Sequence, residues 1–142
     1  MKDSLLEVYT FTEPGFKPII GFDSWRVAIL NYLDEVHPTN IHFMERHLET
    51  DEVFVLQRGQ AILFIGEGES AIEKISVQIL APGSIYNVKK GVWHIVVLSR
   101  DGSILLVENR DTDRGNSSYI ELDQREKDII VATSHQEIKD WQ

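Results

Sequence analysis

Short runs of β-branched and aromatic residues dominate the chain, separated by turn-forming pairs. The runs are Trp25–Leu33, Asn40–His47, Glu52–Gln57, Gln60–Ile65, Ile75–Leu80, His94–Ser99 and Ser103–Asn109. Several alternate apolar with polar or small residues, the period-two signature of a strand with one buried face. Pro14-Gly15, Gly66-Glu67-Gly68, Pro82-Gly83, Lys90-Gly91 and Asp101-Gly102 punctuate them at short intervals. Many short strands at such spacing predict an all-β sandwich or barrel. Asp101-Gly102, between two such runs, predicts a hairpin turn. Val8–Thr12 adds a candidate edge strand. Asp113–Ser118 reads as a polar loop, followed by a strand around Tyr119–Leu122. Helix is scarce: Ser134-His135-Gln136-Glu137 reads as a capping box that opens a short C-terminal helix ending near Trp141.

Length and composition narrow the class. The 142 residues suit one domain, 1–142, and 42% are apolar, enough for a real core. No repeat or linker divides the chain. A formal charge of −9 argues against a nucleic-acid or anionic-membrane surface, since those partners need phosphates neutralised by Lys and Arg. The absence of cysteine excludes disulfides, thiolate zinc sites and cysteine nucleophiles. No stretch approaches the roughly 18 apolar residues of a membrane helix, and the N-terminal residues lack a signal-peptide pattern, so a cytoplasmic protein is expected.

The chemistry is concentrated between Phe43 and Leu98. Glu45 and His47 are two apart on one run and share a face. Glu52 heads the next run, with Phe54 and Leu56 on its side. His94 heads a third, with Val96 and Leu98. Brought together, these would place two carboxylates and two imidazoles on apolar walls, the composition of a small-ligand site. The same residues suit either a metal-free acid/base site or a divalent metal with oxygen and nitrogen ligands: Mn, Fe, Ni or Zn. Arg46, Lys89, Lys90, Tyr86 and Trp93 flank them as candidate substrate-binding residues.

The spacing His47-x4-Glu52-x6-Gly59 resembles the first cupin motif, HxHx(3,4)Ex6G. Gly83-x5-Lys89-x-Gly91-xx-His94 resembles the second, Gx5PxGxxHx3N, with Lys89 at the proline and Leu98 at the asparagine. Glu45 stands where the first motif histidine would be. The resemblance implies a jelly-roll β-barrel, often dimeric, whose motif His and Glu residues commonly hold a divalent metal. A homodimer is therefore expected, through the N-terminal strand or the C-terminal helix with Trp141. More narrowly, Met44-Glu45-Arg46-His47 and Gly91-Val92-Trp93-His94 are similar to segments of the ureidoglycolate lyase family, cupin-fold enzymes that split ureidoglycolate into glyoxylate and urea. That likeness implies Glu52 or Glu45 as base, His47 or His94 as acid, and Lys89, Lys90 or Arg46 on the substrate carboxylate. The rival readings are a non-catalytic metabolite-binding cupin and a metal-dependent isomerase or dioxygenase.

Overall fold

A computed structural model describes residue 2 and residues 5–139. Ten strands are assigned: β1 (Gly15–Phe22), β2 (Trp25–Asn31), β3 (Phe43–His47), β4 (Glu52–Arg58), β5 (Ala61–Glu67), β6 (Lys74–Ile79), β7 (Ile85–Val88), β8 (Trp93–Leu98), β9 (Ser103–Asn109) and β10 (Ser117–Glu121). One helix, α1 (Gln124–Glu137), follows. The strands form two antiparallel five-stranded sheets, ordered β1-β2-β9-β4-β7 and β10-β3-β8-β5-β6.

The sheets close face to face over an apolar core. On the first sheet, Ala28, Leu106 and Phe54 form one inward row, and Leu30, Ile104 and Leu56 the next. The second sheet answers with Ala61, Leu63, Val96 and Leu98. Period-two alternation in every strand produces this layer, because neighbouring residues must point to opposite faces.

The second sheet is buried on its outer face too. Met44, Ile62, Phe64 and Val97 point outward and are covered by Ile130 and Ile138 of the C-terminal region. Among the described residues, no helix lies over the first sheet. Its outward residues Val27, Ile29, Val53, Val55, Leu105 and Val107 are only half-buried, and Phe22, Trp25 and Ile85 are exposed. Among the described residues, no helix is long and apolar enough to cross a membrane.

Four local expectations change. Asp101-Gly102 does not turn a hairpin: β8 and β9 lie in different sheets, and residues 99–102 form a corner between them. The β4–β5 connection is a matching corner. There Gly59 adopts a φ of +74°, and a Cβ on it would sit 2.6 Å from the Cα of Gly102. The two corners thus interlock through glycine backbone.

The helix begins eleven residues earlier than the Ser134 box predicts. Asp123 Oδ1 accepts from the Glu126 N–H and Glu126 Oε1 accepts from the Asp123 N–H, both at 2.8 Å, while Ser134 is buried in the last turn. The run Ile129-Ile130-Val131 carries a strand-like composition, but burial against the second sheet decides its conformation. Trp141 lies outside the described residues.

Val8–Thr12 forms no strand; Asn31 Nδ2 instead donates to the carbonyls of Phe11 and Glu13. The edge strand is β1, whose Pro18 and irregular register at Pro18/Ile20 masked it in the sequence. Finally, β10 begins at Ser117, directly after a short 3-10 turn at Arg114–Asn116.

Candidate metal centre

One end of the barrel carries a polar layer on top of the apolar rows. Glu45 and His47 come from β3, Glu52 opens β4 and His94 lies near the start of β8. Glu45 and His94 are direct cross-strand partners. Each of the four residues offers a donor atom, and these atoms all lie within 4.8 Å of one another. The sequence therefore identified a cluster that the fold assembles from three separate strands.

The separations within it are short. His47 Nε2 is 2.6 Å from Glu52 Oε2 and 3.9 Å from Glu45 Oε1; His94 Nε2 is 3.7 Å from Glu52 Oε2. His47 and Glu52 thus form a close ion pair, while among the described residues neither Glu52 Oε2 nor His94 Nε2, both buried, makes a regular hydrogen bond. Buried polar atoms are nearly always satisfied, so two orphans facing each other require explanation.

The outer nitrogens of both rings are occupied. His94 Nδ1 lies 2.9 Å from the carbonyl oxygen of Val92, which can only accept, so Nδ1 carries the proton. In neutral His94 the Nε2 lone pair then faces the cluster. His47 Nδ1 is hydrogen-bonded to Ser117 Oγ at 2.8 Å. Outer hydrogen bonds of this kind orient imidazoles that bind metals. Two imidazoles and two carboxylates make a mixed donor set that fits a divalent cation of the Mn–Zn series. The convergent, unsatisfied donor atoms meet the requirement for such an ion.

Sequence reasoning missed two members of the layer. Glu108, on β9, follows Ile104 and Leu106 on the inward face, and Arg26 is its partner on β2. Arg26 Nη2 donates to Glu108 Oε1 at 2.7 Å, while Glu108 Oε2 lies 3.7 Å from His47 Nε2 and has no hydrogen-bond partner. The available signal was a glutamate on the inward phase of an apolar strand. It fell outside both motif spacings and so was passed over.

The electrostatics follow from burial and crowding. Burial pushes the Glu45 carboxyl up. Glu108 is raised to about 7 by burial and by the neighbouring Glu52 charge, against the pull of Arg26. Glu52 is itself pushed up by burial, but the two imidazoles outweigh this and hold it well below the carboxylate range. Burial lowers His47 and His94, yet Glu52 prevails in both and leaves them raised. With both imidazoles deprotonated to offer their lone pairs, three ionised carboxylates against one guanidinium would leave an excess of negative charge that a cation would balance.

The other predicted binding residues are not brought to this cluster. Arg46 and Trp93 project from the opposite face of the second sheet, where the guanidinium stacks on the indole at 4.4 Å and pairs with Glu69. This is the alternation of β3, which turns Arg46 away from Glu45 and His47. Tyr86 sits in the inward row below, its hydroxyl accepting from the Ala81 N–H. Lys89 and Lys90 are exposed on the β7–β8 turn; Lys89 Nζ is 3.6 Å from Asp51, and the Gly91 N–H ties the turn to the His47 carbonyl.

No protein-family model matches the chain, and no curated protein matches it. Solved structures do. A cupin-2 domain protein from Shewanella frigidimarina NCIMB 400 is similar over 70% of this chain and 85% of its own, with 22% identity and a TM-score of 0.50. Pac13, a nucleoside dehydratase, is similar over 79% of this chain and 83% of its own, with 8% identity and a TM-score of 0.55. A Streptomyces Pac13 variant with uridine is similar over 82% of this chain and 93% of its own, at the same identity and TM-score. At these identities the likeness concerns architecture: this chain is an all-β jelly roll of the cupin type.

Proposed function

We propose that this protein is a small cupin enzyme that holds one divalent metal through Glu45, His47, Glu52 and His94 and acts on a small carboxylated metabolite. One observation carries the reading: two imidazoles and two carboxylates converge within 4.8 Å, and among the described residues Glu52 Oε2 and His94 Nε2 are buried there without a regular hydrogen bond. When bound, the cation would polarise a substrate oxygen and acidify an adjacent hydroxyl.

Within that class, the finer proposal is carbon–nitrogen cleavage of the ureidoglycolate type. Its support is the pair of short segments Met44–His47 and Gly91–His94. Of the four residues, Glu45 is the most open, with 28% of its side chain accessible against 9% or less for the others. Burial nonetheless raises its carboxyl, which makes it a stronger base than a free carboxylate. Glu45 would take the substrate hydroxyl proton as the carbonyl forms and the carbon–nitrogen bond breaks. It would return that proton to the departing urea nitrogen, leaving glyoxylate and urea.

Metal content and glyoxylate release from ureidoglycolate test both levels. Metal-replete protein should release glyoxylate and urea in equal amounts, and Glu45→Gln should cut turnover by roughly 100-fold or more. Full turnover in Glu45→Gln would remove the base assignment. Metal binding without glyoxylate release would remove the lyase and leave the metal enzyme; stoichiometric iron would then favour oxygenase chemistry.

A homodimer belongs to the same proposal. Its support is the half-buried outer face of the first sheet, which no helix covers among the described residues and where Val27, Val107 and Val53 align across three strands and Ile29, Leu105, Val55 and Ile85 across four. Apolar ladders of that extent are uncommon on isolated monomers. Light scattering that gives a monomer mass would contradict it.

A further inference from the structure

We infer that Glu108 is a fifth ligand of the metal centre, its Oε2 bound to the cation while Arg26 holds its Oε1. The inference rests on the proposed metal-binding function and extends its donor set beyond the residues that the motif spacings supply.

The argument is geometric. Glu108 Oε2 lies 3.7 Å from His47 Nε2, closer than the 3.9 Å that separates the same nitrogen from Glu45 Oε1. Glu108 is outside the set of donor atoms that all lie within 4.8 Å of one another, yet its Oε2 is as near to His47 as Glu45 Oε1 is. The register supports this: Val53 pairs with Val107 and Phe54 with Leu106, so Glu108 and Glu52 are the next inward neighbours on adjacent strands. Both head inward rows that are otherwise apolar.

Glu108 is also prepared to bind with one oxygen. The residue is 7% exposed, so its carboxylate has little access to water. Arg26 Nη2 fixes Oε1 at 2.7 Å, and Arg26 Nη1 donates to the Arg110 carbonyl, which anchors the guanidinium in turn. The other oxygen is left buried without a hydrogen-bond partner and close to His47. An orphaned carboxylate oxygen beside a ligand cluster is costly unless a proton or a cation meets it. The arrangement matches a metal ligand whose second oxygen is fixed by an outer hydrogen bond.

Three carboxylates and two imidazoles would change metal preference. Five protein donors rich in oxygen suit a cation that accepts five or six ligands, such as Mn2+, better than tetrahedral Zn2+.

The test is Mn2+ binding to the full metal-stripped chain, measured by titration calorimetry on wild type, Glu108→Gln and Glu108→Asp. Glu108→Gln keeps an acceptor for Arg26 but loses the charge. Glu108→Asp keeps the charge but withdraws the oxygen from the cluster. Both should weaken Mn2+ binding by at least about tenfold. Equal affinity in wild type and Glu108→Asp would overturn ligation; a loss confined to Glu108→Gln would then leave a role through charge alone. Should Glu108→Gln fail to fold, Glu108→Asp carries the test by itself. No Mn2+ binding to wild type would overturn the metal centre itself, a failure distinct from that of Glu108.

Discussion

At the residue scale, the polar layer is a set of groups that burial and mutual charge push in opposite directions. Its consequence for metal-free protein can be worked out from Glu108. The folded pKa of about 7 stands above the ordinary value of 4.5. A raised folded value gives stability that is complete below the ordinary pKa and lost as pH rises through the folded one. The stability of metal-free protein should therefore fall as pH rises from about 4.5 through 7 on account of Glu108. The raised His47 and His94 act in the same sense, because each loses a favourable charge as pH climbs. Glu52 is depressed and acts the other way, only below the ordinary carboxylate range. Urea unfolding of metal-stripped protein at pH 5 and pH 8 measures the difference. Glu108→Gln, which cannot ionise, should shrink it; an unchanged difference would contradict the assignment. Metal affinity should run the opposite way and strengthen with pH, because the cation competes with protons for both imidazoles.

The element scale shows what could be read from the sequence and what could not. Glu45, His47, Glu52 and His94 were legible because they lie on strands of clear alternation, at spacings set by the turns between them. Glu108 and Arg26 were not, because their proximity to the cluster depends on β9 lying between β2 and β4, and strand order leaves no local trace. The same reason explains Asp101-Gly102. Its local chemistry signals a tight turn, but whether the next strand stays in the sheet or leaves it is decided by the rest of the barrel. β1 was missed because Pro18 is tolerated only at an edge, and the edge is itself a property of the sheet. The helix was found in the wrong register, since an aspartate box was overlooked in favour of a serine one. At the interlocked corners, Gly59→Ala would place a Cβ against the Gly102 backbone and force a strained φ. A loss of about 1–3 kcal/mol in chemical unfolding is expected. A neutral result would show that the corners can separate freely.

On the scale of the whole molecule, the barrel is covered asymmetrically. α1 seals the outer face of the sheet that supplies Glu45, His47 and His94, so the helix supports the scaffold of the centre without touching it. Ile130 is fully buried there. Ile130→Ala should cost about 2–5 kcal/mol of stability through lost burial and the cavity left behind. Metal affinity of the protein that remains folded should be unaffected, as seen by calorimetry at low temperature. A mutation that lowered affinity as much as stability would mean that the helix positions the ligands directly. The opposite sheet, which supplies Glu52 and Glu108, lacks such a cover, and its outer face is where a second copy is proposed to sit.

All of this depends on a cation at the polar end of the barrel. Anomalous diffraction from crystals soaked in Mn2+ would locate it directly. The account predicts one peak per chain, enclosed by the side chains of residues 45, 47, 52 and 94. Well-ordered crystals with those four side chains converged and no peak among them would contradict it.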